Sequence, residues 1–260
     1  LPEDLSIANM FSPLADKLGA ILGEGASAVY DDELGWIGAL QEIDSSSGYW
    51  FDMLEEADFS FLGYAVDPNM EYSLHAGSNL ISFPSHGSVG ISDGIPDDEI
   101  EDQFLSVIGE GFAAIYEDGT WSGSLLTFEG SKGYWVEVQS DLTFSFDLTN
   151  LSEDVASRIS TLKAPTEYDY KQSSQQAFYF IENISGINTG DWIIAYNGDM
   201  VIGARQWTGE MTDVPAMGDD GNDFTKGYIK SGSTPQFKLL SENKLIDLMG
   251  DVSTWSENQI

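Results

Sequence analysis

The chain has 260 residues and a formal net charge of −34 at neutral pH, from 10 basic and 44 acidic side chains. This acidity argues against nucleic acid as a partner, because phosphate binding requires basic patches. Cysteine is absent, which excludes disulfides and thiolate metal sites, and no apolar run approaches the ~18 residues of a membrane span. The hydrophobic fraction of 42% is enough to build folded cores.

Two stretches of the first half of the chain repeat each other. Residues 12–32 and 98–118 share a Gly-Glu-Gly tripeptide, which begins at Gly23 and at Gly109. In both stretches apolar residues recur at i, i+4, i+7 and i+8, which predicts one short amphipathic helix in each repeat. These apolar residues are Leu14, Leu18, Ile21 and Leu22, and Ile100, Phe104, Val107 and Ile108. Ser12 and Asp98 are the predicted N-caps, and the two glycines are predicted to end the helices.

After each predicted helix the chain alternates apolar and polar residues, which is typical of half-buried strands. The matching residues are Gly48-Tyr49-Trp50 with Gly133-Tyr134-Trp135, and Phe59 and Phe61 with Phe144 and Phe146. We therefore predict a first repeat unit over residues 1–66 and a second over residues 67–150. Their aromatic residues are predicted to fill shared cores, with an exposed platform that stacks on sugars as the alternative.

The second repeat begins with a segment that has no counterpart in the first. Residues 72–84 include Leu80, Ile81 and Phe83 and predict a buried leading strand. Residues 1–4 resemble residues 95–98, so the corresponding segment would precede Leu1. Either the chain is a processed or trimmed product, or the first repeat lacks one strand. An incomplete sheet exposes backbone donors and acceptors, and a strand from a neighbouring molecule would fill the place.

The remaining chain has a different pattern. Residues 151–171 are the predicted linker, and residues 172–260 are predicted to form a β-sandwich module. Its expected strands are 177–181, 191–196, 200–204 and 235–240, and Asn197-Gly198 predicts a hairpin turn. The fold class is therefore mainly β with short helices: two related α+β repeat units followed by a β-sandwich module.

The acidic loop at residues 214–227 is the candidate metal site. Carboxylate and carbonyl oxygens are the ligands that Ca²⁺ prefers, so a calcium ion is the expected cofactor. The candidate ligands are Asp219, Asp220 and Asp223 of the loop, with Asp191, Asp199 and Asp213 joining them if the loops converge. The spacing differs from that of an EF-hand, because Gly221 occupies a ligand position. The alternative is an ordinary polar turn.

No motif of an enzyme is present, and we predict a non-enzymatic protein. The sequence contains no G-x-S-x-G, P-loop, GxGxxG or HExxH pattern. His75 and His86 are interpreted as structural residues. With 44 acidic side chains, chance pairs of carboxylates are certain and do not indicate a glycosidase. The alternative function is a carbohydrate-binding module, in which a flat strip of exposed rings would stack on sugars: Trp36, Trp121, Trp192 and Trp207.

Two sets of segments carry a resemblance to known modules. Residues 77–84, 109–125 and 133–138 resemble repeat modules of large secreted and cell-surface proteins of Gram-negative, often marine, bacteria, in which an NLIS-P strand leads to a GYW strand. Residues 190–207, 217–221 and 227–240 resemble a second module of those proteins, with a GD-I-A---GD--IGA pattern and an acidic loop. The resemblance implies an extracellular or cell-surface protein with a structural or adhesive role. Expected partners are further copies of the chain, other surface proteins or polysaccharide.

Overall fold

A computed structural model describes residues 1–96, 98–152 and 163–260 of the chain. The predicted fold class is confirmed, because the protein is mainly β with short helices. The helices are α1 (Ile7–Met10), α2 (Ile91–Gly94) and α3 (Asp98–Glu101), and short 3₁₀ turns lie at Ser12–Leu14 and Thr166–Tyr168. Among the described residues, no helix is long and apolar enough to cross a membrane.

The strands follow one another along the chain in two groups. The first group is β1 (Leu18–Gly23), β2 (Ala26–Asp31), β3 (Gly35–Gly38), β4 (Trp50–Met53), β5 (Tyr72–Leu74), β6 (Gly77–Ser82), β7 (Ser88–Gly90), β8 (Phe104–Ile108), β9 (Ala113–Glu117), β10 (Thr120–Gly123), β11 (Thr127–Glu129), β12 (Gly133–Val138) and β13 (Leu142–Phe144). The second group is β14 (Gln176–Ile181), β15 (Trp192–Asn197), β16 (Met200–Gln206), β17 (Thr212–Met217), β18 (Gln236–Ser241) and β19 (Lys244–Asp247).

The chain divides into two compact units. Unit 1 comprises Leu1–Leu105 and Thr127–Ala156, and unit 2 comprises Ser106–Leu126 and Ser157–Ile260. The sequence-based boundaries, 1–66, 67–150, 151–171 and 172–260, stay predictions. Part of the predicted linker, residues 153–162, lies outside the described residues.

Unit 1 contains a four-stranded antiparallel sheet in the order β3-β2-β1-β4. It also contains three antiparallel pairs: β6 with β12, β7 with β11, and β5 with β13. The four-stranded sheet packs its apolar face against α1 and the following 3₁₀ turn, which contribute Ile7, Met10, Phe11 and Leu14 to one buried cluster.

The predicted amphipathic helices are wrong, because most of their apolar residues lie in β1 and β8. β1 has a register shift between Leu18 and Ala20, and Leu18 and Ile21 both lie in the core with 0% exposure. This bulge spaces the buried residues by three, as in a helix. Ser12 begins a 3₁₀ turn, and Asp98 is the first residue of α3. The predicted helix ends are hairpin turns instead, and each turn contains a glycine with positive φ, Gly25 at 68° and Gly111 at 76°.

The internal repeat is visible as shared local structure. Gly38 and Gly123 both approach the facing strand so closely that a Cβ atom would lie 2.1 Å and 2.3 Å from a backbone carbonyl oxygen. Tyr49 and Tyr134 both accept a hydrogen bond at the hydroxyl from the backbone N–H five residues earlier, at 2.8 Å and 2.7 Å. Equivalent positions of the two repeats therefore form the same turns and contacts.

Unit 2 combines the antiparallel strands β8, β9 and β10 with a β-sandwich-like arrangement of the later strands. Here β14 pairs with β17, and a four-stranded sheet has the order β16-β15-β18-β19. The four predicted strands and the hairpin after Asn197 are confirmed. The predicted acidic loop begins too early, because Val214–Met217 belongs to β17, whose residues are all buried. The core includes Trp255, which is 1% exposed and donates from Nε1 to the Ala216 carbonyl.

Candidate functional site

Unit 1 contains an open apolar cleft of about 930 Å³. We call it the first-repeat cleft and define it by the side chains of Phe11, Tyr49, Phe51, Met53, Phe59 and Phe61. Residues of β4, of the 3₁₀ turn after α1 and of the chain that follows β4 line the cleft. Residues 82–86 and 131–133 also line it.

The cleft lies beside an open strand edge. β4 is the edge strand of its sheet and pairs with β1 alone among the described strands. The equivalent strand of the second repeat, β12, pairs with β6 along its whole length, from Gly133 with Ser82 to Val138 with Gly77. The described part of the first repeat thus has the GYW strand but no counterpart of β6 next to it.

Equivalent side chains differ in burial between the repeats. Val136 of β12 is 0% exposed, whereas Phe51 at the equivalent place in β4 is 44% exposed. Phe146 is 4% exposed, whereas its counterpart Phe61 is 46% exposed. The first repeat therefore presents to solvent the apolar surface that the second repeat buries.

The leading segment of the second repeat is what buries that surface. Tyr72 of β5 places its ring 5.3 Å from that of Phe146, edge on, and Phe83 after β6 lies 5.2 Å from the same ring. Tyr72 is 1% exposed and Phe83 is 6% exposed. The described residues contain no equivalent of Tyr72 or Phe83 in the first repeat, and the cleft occupies the corresponding place.

The first repeat also contacts the outer edge of β6, within unit 1. The backbone N–H of Gly48 donates to the Leu80 carbonyl at 2.9 Å, and Glu24 accepts from the Leu80 N–H at 2.8 Å. The second oxygen of Glu24 lies 2.6 Å from Nε2 of His75. The Ala76 carbonyl and then Glu24 raise the pKa of His75 by favouring its charged form. The Gly-Glu-Gly turn is evident in the sequence, but the contact of its carboxylate with a strand edge is not.

The acidic loop of unit 2 uses its carboxylates for internal contacts. Asp219 forms an ion pair with Lys230 at 3.1 Å, and this contact lowers its pKa. Burial acts to raise the pKa of Asp220, but hydrogen bonds from Thr225 and from backbone N–H groups outweigh it, so the net shift is downward. The carboxylates of Asp219 and Asp220 are therefore engaged in an ion pair and in hydrogen bonds within unit 2.

The other predicted calcium ligands lie apart from this loop or serve elsewhere. Asp223 and Asp199 are exposed, Asp191 accepts from the Asn188 N–H at 2.9 Å, and Asp213 is 1% exposed. In the described ranges, no three or more acidic or histidine side chains converge as an ion site. Calcium binding at Asp219, Asp220, Asp223, Asp191 and Asp199 stays a prediction.

The four tryptophans of the carbohydrate alternative have separate environments. The predicted exposure of Trp207 is wrong, because this side chain is 5% exposed and lies within the core of unit 2. Trp36 and Trp121 are half-buried and pack against Tyr30 and Tyr116, with centroids 5.3 Å and 5.1 Å apart. Trp192 is half-buried on β15.

Unit 2 contains a buried ion pair that was not predicted from the sequence. Arg205 on β16 donates from its guanidinium to Oδ2 of Asp213 at 3.0 Å and to the Gly111 carbonyl at 2.8 Å. Ser124 donates its hydroxyl hydrogen to the same carboxylate oxygen at 2.6 Å. Burial raises the pKa of Asp213, while Arg205 and Ser124 oppose that shift. An arginine inside an apolar strand pattern was the available signal.

Comparisons with known proteins found no matching family model, curated protein or solved structure.

Proposed function

We propose that the protein is an extracellular structural or adhesive subunit that joins its neighbour by accepting a β-strand in the first-repeat cleft. One observation carries the proposal: the second repeat covers its GYW strand and phenylalanines with its own leading segment, whereas the equivalent surface of the first repeat is open. The chain itself therefore contains an example of the ligand that fits the site.

The physical basis is strand addition. An extended segment that pairs with an exposed sheet edge gains affinity from backbone hydrogen bonds and specificity from pockets for alternate side chains. β4 supplies the edge, and the cleft beside Phe51 and Phe61 supplies the pocket. Exposed apolar area of this kind marks interaction sites on proteins.

The extracellular location rests on two features of the sequence. One is the resemblance of segments within the second repeat and within residues 190–207, 217–221 and 227–240 to modules of secreted bacterial surface proteins. The other is the net charge of −34, which suits a saline medium where screening weakens the repulsion between like charges. A carbohydrate-binding module remains the alternative, with less support because Trp207 lies in a core.

The test is calorimetric titration of the full chain with a synthetic peptide of residues 70–84. We expect saturable binding of one peptide per chain with a negative heat-capacity change, because the peptide buries apolar surface. A peptide with Leu80→Asp and Phe83→Asp is expected not to bind.

The matched protein variants are Phe61→Asp and Leu62→Asp. Phe61 lines the cleft, whereas its neighbour Leu62 is 97% exposed and outside the cleft. We expect Phe61→Asp to weaken peptide binding at least about tenfold, which corresponds to ~1.4 kcal/mol, and Leu62→Asp to bind like the wild type. The proposal fails if the wild-type chain does not bind the peptide or if Phe61→Asp binds it equally well.

A further inference from the structure

β19 is a second exposed edge strand, and it belongs to unit 2. All four of its residues are exposed, including Leu245 at 43% and Ile246 at 51%. Successive residues of a strand point to opposite faces, so β19 presents a large apolar side chain on each face. Charged residues protect natural edge strands from pairing, and β19 has one at each end, Lys244 and Asp247. Between them Leu245 and Ile246 form an exposed apolar pair, and exposed apolar surface of this kind marks interaction sites.

The β18–β19 hairpin has the apolar pattern of the leading segment β5–β6. The matching positions, aligned without a gap, are Tyr72, Leu74, Leu80, Ile81 and Phe83 in the first and Phe237, Leu239, Leu245, Ile246 and Leu248 in the second. Leu80 and Ile81 are both 4% exposed, because β6 is covered on both faces. Leu245 and Ile246 of β19 thus match Leu80 and Ile81 in the apolar pattern but are exposed.

We infer that the strand accepted by the first-repeat cleft is β19 of a second copy of this chain. This inference rests on the proposed function and names the partner. In the second repeat, Leu80 pairs opposite Trp135 and Ile81 opposite Tyr134. The same antiparallel register places Leu245 of the donor copy opposite Trp50 and Ile246 opposite Tyr49.

The contact is heterologous, since the acceptor surface lies in unit 1 and the donor strand in unit 2. Two copies joined head to tail keep one free donor and one free acceptor between them, because one copy uses its β19 strand and the other its cleft. Heterologous contacts generate rings where the rotation closes and open filaments where it does not. Because each copy has a net charge of −34, we expect association to strengthen as added salt screens the repulsion.

The experiment is sedimentation velocity of the full chain at high protein concentration, at low and high salt. The donor variant is Ile246→Lys and the acceptor variant is Phe61→Asp. The matched control is Met200→Lys, because Met200 is 43% exposed and lies on β16, the opposite edge strand of the same sheet. We expect the wild type and the control to form species larger than dimers, and each of the other two variants to remain monomeric.

Mixing the two monomeric variants gives the sharpest result. The acceptor variant keeps its β19 strand and the donor variant keeps its cleft, so the mixture is expected to form dimers and nothing larger. The inference is overturned if the wild type stays monomeric at high salt, or if Ile246→Lys associates like the wild type. Should the peptide of residues 70–84 still bind the chain in that case, strand acceptance stands and only the donor is wrong; if the peptide does not bind, the proposed function fails as well.

Discussion

Two phenylalanines at equivalent positions of the repeats should respond differently to truncation. Phe146 is 4% exposed, and its ring lies 4.9–5.3 Å from the rings of Tyr72, Phe83 and Phe128. Phe61 is 46% exposed, with the ring of Phe59 at 5.4 Å. Replacing each by alanine removes the same atoms from different surroundings.

The burial values set the expected magnitudes. Truncating a fully buried phenylalanine removes its transfer free energy and leaves a cavity, so Phe146→Ala should lower the free energy of unfolding by ~3–5 kcal/mol. Phe61 has about half of its side chain in water and borders an open cleft rather than an enclosed core. Full burial of such a side chain contributes ~1.5–3 kcal/mol, so half of it, without a new cavity, gives Phe61→Ala a cost of ~1 kcal/mol.

Urea unfolding of the two variants and the wild type measures these costs. Hydrogen exchange read by mass spectrometry on peptides of unit 1 assigns each loss to its repeat, because exchange reports local opening as well as global unfolding. Wild-type protein incubated with the peptide of residues 70–84 should show added protection in β4. A loss for Phe61→Ala as large as that for Phe146→Ala would show that the first repeat has a filled core in solution, and strand acceptance would be refuted.

Three substitutions in unit 2 test the packing and the turn geometry that support β15–β19. Arg205→Met leaves the carboxylate of Asp213 buried without its partner, so it should cost ~3–5 kcal/mol at neutral pH. This variant raises the folded-state pKa of Asp213 further above its unfolded value, so stability is lost as pH rises through the folded pKa and is recovered in acid. Urea unfolding should therefore show a smaller cost at pH 5 than at pH 7. An equal cost at the two pH values would contradict this explanation. Gly203→Ala should cost at least ~3 kcal/mol, because its Cβ would lie 1.7 Å from a carbonyl oxygen of β17. Gly198→Ala, at a positive φ of 61° in open space, should cost only ~1 kcal/mol in the same assay.

Local patterns were sufficient to predict much of the fold. The GYW strands and the strands of residues 177–240 alternate or run apolar between turn residues, and these signals depend only on near neighbours. The hairpin after Asn197 follows from turn chemistry in the same way. The repeat itself was visible because equivalent turns need equivalent residues, as at Gly38 and Gly123.

The helix prediction failed because its signal was ambiguous over a short range. A bulge in β1 and two-sided burial in β8 both give apolar spacings that mimic a helical face. Residues 214–217 of β17 were assigned to the acidic loop, whereas they pair with β14, and the adjacent Asp213 forms a buried ion pair with Arg205 of β16. Such a pair joins residues from different strands and cannot be identified from spacing.

The candidate site was partly predictable for a similar reason. Comparison of the repeats indicated that residues 1–66 contain no counterpart of the leading segment, but the volume of the cleft and the exposure of Phe51 depend on packing between distant segments. For the predicted metal ligands, the sequence showed that the carboxylates are close together but not that they have other partners. Asp219 and Asp220 are close in sequence, yet Lys230 and Thr225 already occupy their oxygens.

Charge repulsion between copies and contact at their exposed strand edges act over different distances. Charge repulsion between copies extends over a Debye length, ~10 Å at 0.1 M salt and ~3 Å at 1 M, so salt removes it progressively. Backbone pairing and apolar contact at β4 and β19 act only at close approach and are not screened. Salt should therefore control how often two copies meet, while Phe61 and Ile246 control whether the encounter persists. For this reason the variants at these two positions should stay monomeric at every ionic strength, whereas the wild type should change from monomer to assembly as salt rises.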